Sequence, residues 1–274
     1  MQKVISRDGT PIAYDQSGTG PPLVLVHGTA AAHPAAWPAF PALEQHFSLY
    51  APYRRGRGES GDEAPYAVER EFEDIAAVVD AVVDAVGEPA HLLGHSFGGL
   101  CALEAARLTN HVGKLVLYEP SIEIPGVSSG DEALASRLQA LLEAGETERM
   151  LTTFYSSVMT PDDVERLRSS SVWPERLAVA PTVPRELWAE VRYVFDARRF
   201  TDLHIPTLLL TGEDSQPFLK AGAQALNRAL PDSRIDTLPG QQHVAMYTAP
   251  NLFADEVLRF LKGPAVETNR PPET

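Results

Sequence analysis

The chain has a single cysteine in 274 residues, so no internal disulfide can form, and Cys101, between Leu100 and Ala102, reads as a small apolar core residue. No stretch approaches the roughly 20 consecutive apolar residues that a membrane-crossing helix needs. Met1 to Thr10 contains no apolar segment of the secretory kind, so a cytoplasmic location is expected. Basic residues are scarce: 23 Lys and Arg stand against 37 Asp and Glu, a formal net charge of −14. That imbalance repels polyphosphate backbones and anionic bilayers, so neither a nucleic-acid nor a membrane partner is expected. The one basic knot, Arg54-Arg55-Gly56-Arg57, is a short loop after a strand and reads as structural rather than as a phosphate cradle. No strand, glycine-rich turn and helix combine into a dinucleotide-binding or Walker unit, and repeats and low-complexity tracts are absent. His91 and His95 are four apart, but on a strand and turn that spacing does not bring them to one face. No cofactor and no metal is expected.

What the chain does contain is Leu93-Gly94-His95-Ser96-Phe97-Gly98-Gly99, a Gly-x-Ser-x-Gly element between an apolar run, Ala90 to Leu93, and a helix-favouring one, Leu100 to Leu108. The order strand, sharp turn, helix nominates Ser96 as a nucleophile. The glycines at 94 and 98 suit a strained serine that tolerates no flanking side chain, and Gly99 suits close helix packing. A serine hydroxyl is a poor nucleophile at neutral pH, so a histidine must take its proton and a carboxylate must orient that histidine. His243 lies in the loop after the last strand, Arg234 to Leu238, and before a helix from Pro250 to Leu261. The oxyanion formed by serine attack needs preorganised donors. The backbone N–H groups of Phe97 and of Thr29, in the loop after Leu23 to His27, are assigned to it. His27, at a strand end before Gly28, reads as a hydrogen-bonder holding that loop rather than as a second base.

Strands are predicted near 2–7, 11–16, 23–27, 47–52, 90–94, 114–118, 206–211 and 233–238. Helical stretches separate most of them. The clearest, Val68 to Val86, repeats Phe72, Ile75, Val79, Val82, Val83 and Val86 at helical spacing, with Glu69, Glu73, Asp80 and Asp84 facing elsewhere. Alternating strands and helices imply a mostly parallel eight-stranded sheet with helices on both faces, whose ligands bind beyond the carboxyl ends of the strands. Ser96, Glu119 and His243 all fall at such ends. Between Ser121 and about Thr201 the strand pattern stops and helices are expected at Asp131–Ala144, Thr147–Val158, Pro161–Ser170 and Pro184–Phe195. Pro120, Pro125 and Gly126 mark the way into this segment and His204-Ile205-Pro206 the way out. The expected partition is an α/β core from 1–120 and 202–262, an inserted helical cap at 121–201 and a flexible tail at 263–274. Aromatics in the cap, Phe154, Tyr155, Trp173, Trp188, Tyr193 and Phe195, divide between packing and roofing a substrate pocket.

Taken together, His27-Gly28, Tyr53-Arg54-Arg55-Gly56-Arg57-Gly58-Glu59-Ser60, the elbow at Ser96, Tyr118-Glu119-Pro120 and Gly240 to His243 resemble the α/β-hydrolase superfamily over almost the whole chain. The resemblance implies that fold, a serine triad and no cofactor, but no particular substrate, because the fold hosts many chemistries. Similar enzymes carry Asp where Tyr53 stands, which would put a phenol near the mouth of the site. The triad acid has two candidates. In many similar enzymes it follows strand seven, three residues after a glycine; in Thr211-Gly212-Glu213-Asp214-Ser215 that position is Ser215, and Asp214 is one residue out of register. In mycotoxin lactonases of this fold the acid ends strand six, where this chain has Glu119, the preferred assignment. An Asp214 outside the triad would instead cap the helix beginning near Pro217. The resulting expectation is a serine hydrolase of carboxylic esters or lactones of a hydrophobic small molecule, with a homodimer an allowed assembly. Kept beside it are carbon–carbon bond hydrolysis, lyase or perhydrolase chemistry on the same triad, a biosynthetic hydrolase acting on a polyketide or peptide, and a non-catalytic binding protein on the same scaffold.

Overall fold

The structure, a computed structural model, describes residues 1–124 and 132–263. Strands β1 (Gln2–Ile5), β2 (Pro11–Ser17), β3 (Pro22–Val26), β4 (Ser48–Pro52), β5 (Ala90–His95), β6 (Val112–Tyr118), β7 (Thr207–Gly212) and β8 (Ser233–Leu238) form one sheet. Its order is β1-β2-β4-β3-β5-β6-β7-β8. The pairs β1–β2 and β2–β4 are antiparallel and every later pair is parallel. The carboxyl ends of β3, β5, β6 and β7 therefore lie along one edge, where the expected site residues gather.

Helices α1 (Phe40–Glu44), α2 (Val68–Val86) and α3 (Phe97–Ala105) precede β6. Among the described residues, five α-helices stand between β6 and β7: α4 (Glu132–Glu143), α5 (Thr147–Tyr155), α6 (Pro161–Arg168), α7 (Trp173–Val179) and α8 (Val183–Arg192). This helical insertion between two neighbouring strands of the sheet is called the cap below. The chain closes through α9 (Pro217–Ala229), α10 (Ala245–Thr248) and α11 (Pro250–Lys262). The α7 helix was not expected from sequence, because its seven residues, opening on Trp173-Pro174, are too few to display a period. Pro125, Gly126 and Asp131 at the start of the expected cap, and the expected tail beyond Gly263, lie outside the described residues.

Alternation along the strands divides the core. Val24 and Val26 pack with α2 and α3 on one face, while Leu23 and Leu25 pack with Trp37 and the Phe253 and Val257 ridge of α11 on the other. Each such side chain removed from water is worth about 1.5–3 kcal/mol. A third cluster lies within the cap, around Leu138, Met150, Leu151, Phe154, Trp173 and Val183, and it includes Ala30 of the loop after β3. The cap thus packs directly on that loop. Helix α2 departs from its expected stripe at both ends. Val86 is 41% exposed, being the last residue before Gly87, which ends the helix at φ 79°. Glu71 and Asp74 are buried despite their charge because arginines of the 54–57 loop meet them. No helix among the described residues is long and apolar enough to cross a membrane.

Candidate active site

Three non-glycine residues among those described hold positive φ: Ala30 (57°), Ser96 (54°) and Glu119 (42°). All three lie at the carboxyl edge of the sheet. Such backbone costs on the order of 1–3 kcal/mol per residue and persists only where its surroundings enforce it. At Ser96 the enforcement is visible. A Cβ on Gly98 would come within 2.3 Å of the His27 carbonyl oxygen, and one on Gly28 within 2.9 Å of the Ser96 Cβ. The two chain segments approach so closely that neither position admits a side chain. The Ser96 N–H donates to Tyr118 O at 3.0 Å, and its own carbonyl accepts from Gly99 and Leu100 as α3 begins.

His243 and Glu119 meet. Nδ1 of His243 stands 2.7 Å from Glu119 Oε2, and the other carboxylate oxygen accepts the Gly212 N–H at 2.7 Å. Glu119 is fully buried and His243 is 4% exposed. The carboxylate thus holds the imidazole with one oxygen and the end of β7 with the other. Tyr118, one residue earlier on β6, fixes the histidine loop: its hydroxyl donates to Gln242 O and accepts the Ala245 N–H at 3.1 Å. Asp214 does not join this group. It is exposed, its N–H donates to Gln241 O, and the one-residue offset after Gly212 carries its side chain outward. Ser215, at the position many similar enzymes give to the acid, is buried with an unpartnered hydroxyl. Nor does Asp214 cap α9, whose N-cap residue is Gln216.

Ser96 Oγ lies 3.4 Å from Ser121 Oγ, a neighbour that the motif search missed although it follows Glu119-Pro120 directly. Two cavities share Ser96, His243, Phe154 and Val158. The larger, about 330 Å³, is walled by Ala31, Ala36, Trp37, Tyr155 and Met159, with Asp163, Arg166 and Arg176 as its charged members. The smaller, about 240 Å³, is walled by Ile122, Leu187, Val191, Phe218 and Leu219, with Ser121, Ser157, Glu123 and Glu190 among its polar members. Burial raises the Glu190 carboxyl to about 8 against the opposing Ser121 hydroxyl, with Glu186 and Glu123 adding to the rise. Of the six cap aromatics, Phe154 and Tyr155 reach the larger cavity. Trp173 packs behind Tyr155, Trp188 and Tyr193 line an outer groove, and Phe195 stacks on Phe200.

His27 is fully buried, with Nδ1 3.0 Å from Gly28 O. Burial, with Arg54 and Arg57 nearby, lowers it well below the ordinary histidine range, so it stays neutral. Tyr53 does not stand at the mouth of the site. Its hydroxyl donates to Asp15 at 2.9 Å and its ring packs on His33, because the 53–61 loop folds back on β2. Among the described residues no cluster of three or more His, Cys, Asp or Glu side chains could hold a metal ion.

Sheet order, elbow and inserted cap together define the α/β-hydrolase architecture. Residues 23–256 match the profile of the Alpha/beta hydrolase family, and the chain belongs to it. An α/β hydrolase from Sphaerobacter thermophilus is 36% identical, with a TM-score of 0.80, over 95% of this chain and 100% of that one. Esterase RhEst1 from Rhodococcus sp. ECU1013 is 26% identical, with a TM-score of 0.77, over 95% of this chain and 98% of that one. The pimeloyl-[acyl-carrier protein] methyl ester esterase of Nitrosospira multiformis is 28% identical over 257 residues, 89% of this chain and 96% of the other.

Proposed function

We propose that this protein is a serine hydrolase that cleaves a carboxylic ester or lactone of a hydrophobic small molecule through an acyl-enzyme, using its own side chains alone. The observation that carries the reading is the 2.7 Å contact between His243 Nδ1 and Glu119 Oε2 behind a serine held at φ 54°. With Nδ1–H donated to the carboxylate, Nε2 is left unprotonated and can accept the Ser96 proton. The Ser96 hydroxyl turns from Ser121 toward His243 and attacks the carbonyl carbon. The resulting oxyanion is met by the N–H groups of Phe97 and Thr29, and His243 returns the proton to the departing alkoxide. A water molecule, deprotonated by the same imidazole, then releases the acid. Residues 1–120 and 202–262 carry this chemistry in the proposal, and 121–201 select the substrate. The apolar walls of both cavities favour a hydrophobic substrate, and two relatives above 25% identity are themselves named esterases.

A fluorophosphonate probe and a substrate panel test the proposal. The wild-type protein is expected to be labelled once, at Ser96; Ser96→Ala keeps its fold and loses both labelling and turnover. Labelling that survives in Ser96→Ala would move the nucleophile elsewhere. Across the panel, medium-length and ring-containing esters and lactones should show the highest kcat/KM, and a clear preference for dianionic or cationic substrates would sink the hydrophobic class.

A further inference from the structure

The loop after β3 has its carbonyls gripped by buried cations. Gly28 O accepts from Arg54 Nη2 at 3.3 Å, Ala30 O from Arg176 Nη1 at 2.8 Å and Ala31 O from Arg57 Nε at 2.8 Å. Tyr155 adds a second donor to Ala30 O at 2.9 Å. The three arginines are 0%, 4% and 1% exposed in that order. Two of them are joined by one carboxylate: Glu186 receives Arg54 Nη2 at 2.9 Å on one oxygen and Arg57 Nη2 at 2.5 Å on the other. Arg54 also lies over the Phe97 ring, 4.8 Å from its centroid, and 3.2 Å from Glu71. Arg54 and Arg57 belong to the core loop after β4, whereas Arg176 is on α7 and Glu186 on α8 of the cap.

The peptide bond is planar and trans, so the direction of one residue's carbonyl fixes the direction of the next residue's N–H. Holding Gly28 O therefore aims the Thr29 N–H, and Arg54 touches both halves of the donor pair, the Gly28–Thr29 peptide and the Phe97 side chain. Ala30, in the same loop, sits at φ 57°, a conformation that needs outside support. We propose that Glu186 and Arg176, both from the cap, are positioning residues of the oxyanion hole: the seated cap, acting through Arg54 and Arg57, sets the loop whose Thr29 N–H stabilises the tetrahedral intermediate. This inference rests on the serine-hydrolase reading. It makes the cap a part of the machinery for the chemical step as well as a roof.

The test compares Glu186→Gln, Arg176→Lys and Tyr155→Phe with wild type, using the best ester of the panel and a trifluoromethyl ketone, which forms a tetrahedral adduct on the serine. Loss of one oxyanion donor lowers kcat by about 10²–10³ in serine hydrolases, so misorientation of a donor by Glu186→Gln should lower it by about 10–100-fold. KM should stay within about twofold, and affinity for the ketone should fall in proportion to kcat/KM. Labelling of Ser96 by the fluorophosphonate should persist at a reduced rate. A folded Glu186→Gln with unchanged kcat, or with a loss confined to KM, overturns the proposal. Should Glu186→Gln fail to fold, Tyr155→Phe and Arg176→Lys carry the test: each loosens the hold on Ala30 O, Arg176→Lys also losing its contact with Tyr247, and because both side chains line the larger cavity the reading is taken from kcat and the ketone affinity rather than from KM. Cap variant Arg168→Ala, at an exposed position, is the control and should match wild type. Wild-type protein that is neither labelled nor active would overturn the hydrolase reading itself, and this inference with it; a labelled, active wild type with unaffected variants overturns only this inference.

Discussion

At the level of single residues, the decisive fact is which carboxylate the imidazole meets. Glu119→Gln should lower kcat by about 10³–10⁴ with little change in KM, as loss of the orienting carboxylate does in serine triads, while Asp214→Asn should stay within a few-fold of wild type. Both variants are measured with one ester at saturation, and the reverse ranking would return Asp214 to the triad. Ser96 and Glu119 were legible in the sequence because each directly follows a strand that a motif or a register marks, and His243 because it lies in the loop after the last strand. Ser121 and Arg176 were not. A serine two residues after the acid carries no pattern, and an arginine in a seven-residue helix declares nothing until its partner, Ala30 O, is placed beside it. Tyr53 was misread for the opposite reason: its position in the loop was clear from sequence, but the direction of the loop was set by a hydrogen bond to Asp15, 38 residues away.

At the level of elements, the eight strands stand within a residue or two of where alternation and apolar runs put them, because strands buried in a parallel sheet advertise themselves. Helix ends in the segment between β6 and β7 were harder to read, the stretches expected to reach Val158 and Phe195 stopping at Tyr155 and Arg192, whereas α2 has the bounds expected of it and only its buried stripe differs. The stripe of α2 runs to Val86, yet Gly87 turns the chain away at φ 79°, and a Cβ there would meet nothing within 4 Å. A change at Gly87 is consequently a test of backbone conformation alone. Gly87→Ala should cost about 1 kcal/mol in urea unfolding with no effect on turnover; an unchanged midpoint would show that the left-handed turn contributes nothing. The buried acids of α2 were illegible in a hydrophobic pattern, since Glu71 and Asp74 owe their burial to arginines that come from a different loop. Glu186 is the same case across the cap boundary: burial opposes its charge, but Arg54 and Arg57 overcome that and hold its carboxyl at about 2.

For the whole molecule, three histidines contribute a stability that acid removes. Burial drives His27 and His95 well below the ordinary histidine value of 6.5, helped by Arg54 at the first and His243 at the second. Burial, then Lys114, lowers His91 to about 4. In the unfolded chain each takes up a proton as pH falls below 6.5, while the folded chain does not. The contribution of these histidines is therefore whole above about pH 6.5 and falls as pH drops toward their lowered folded values, while Glu190, raised by burial to about 8, contributes in the opposite direction. Urea midpoints measured at a series of pH values from 7.5 to 4 should show His91→Gln losing less stability than wild type between 6.5 and about 4. Parallel profiles for the two proteins would show that the His91 ring takes up its proton in the folded protein as well.

The two cavities that meet at Ser96 differ in size, about 330 Å³ against 240 Å³. A carbonyl seated between them with its oxygen fixed on one side has only one way to send its bulkier substituent into the roomier space. Mirror-image esters that differ at the carbon beside that carbonyl must then place unlike groups against the same walls. Each misplaced methylene is worth about 1–3 kcal/mol. The architecture is thus handed with respect to its substrate, and a racemic ester offered to it should be resolved, one enantiomer consumed well ahead of the other.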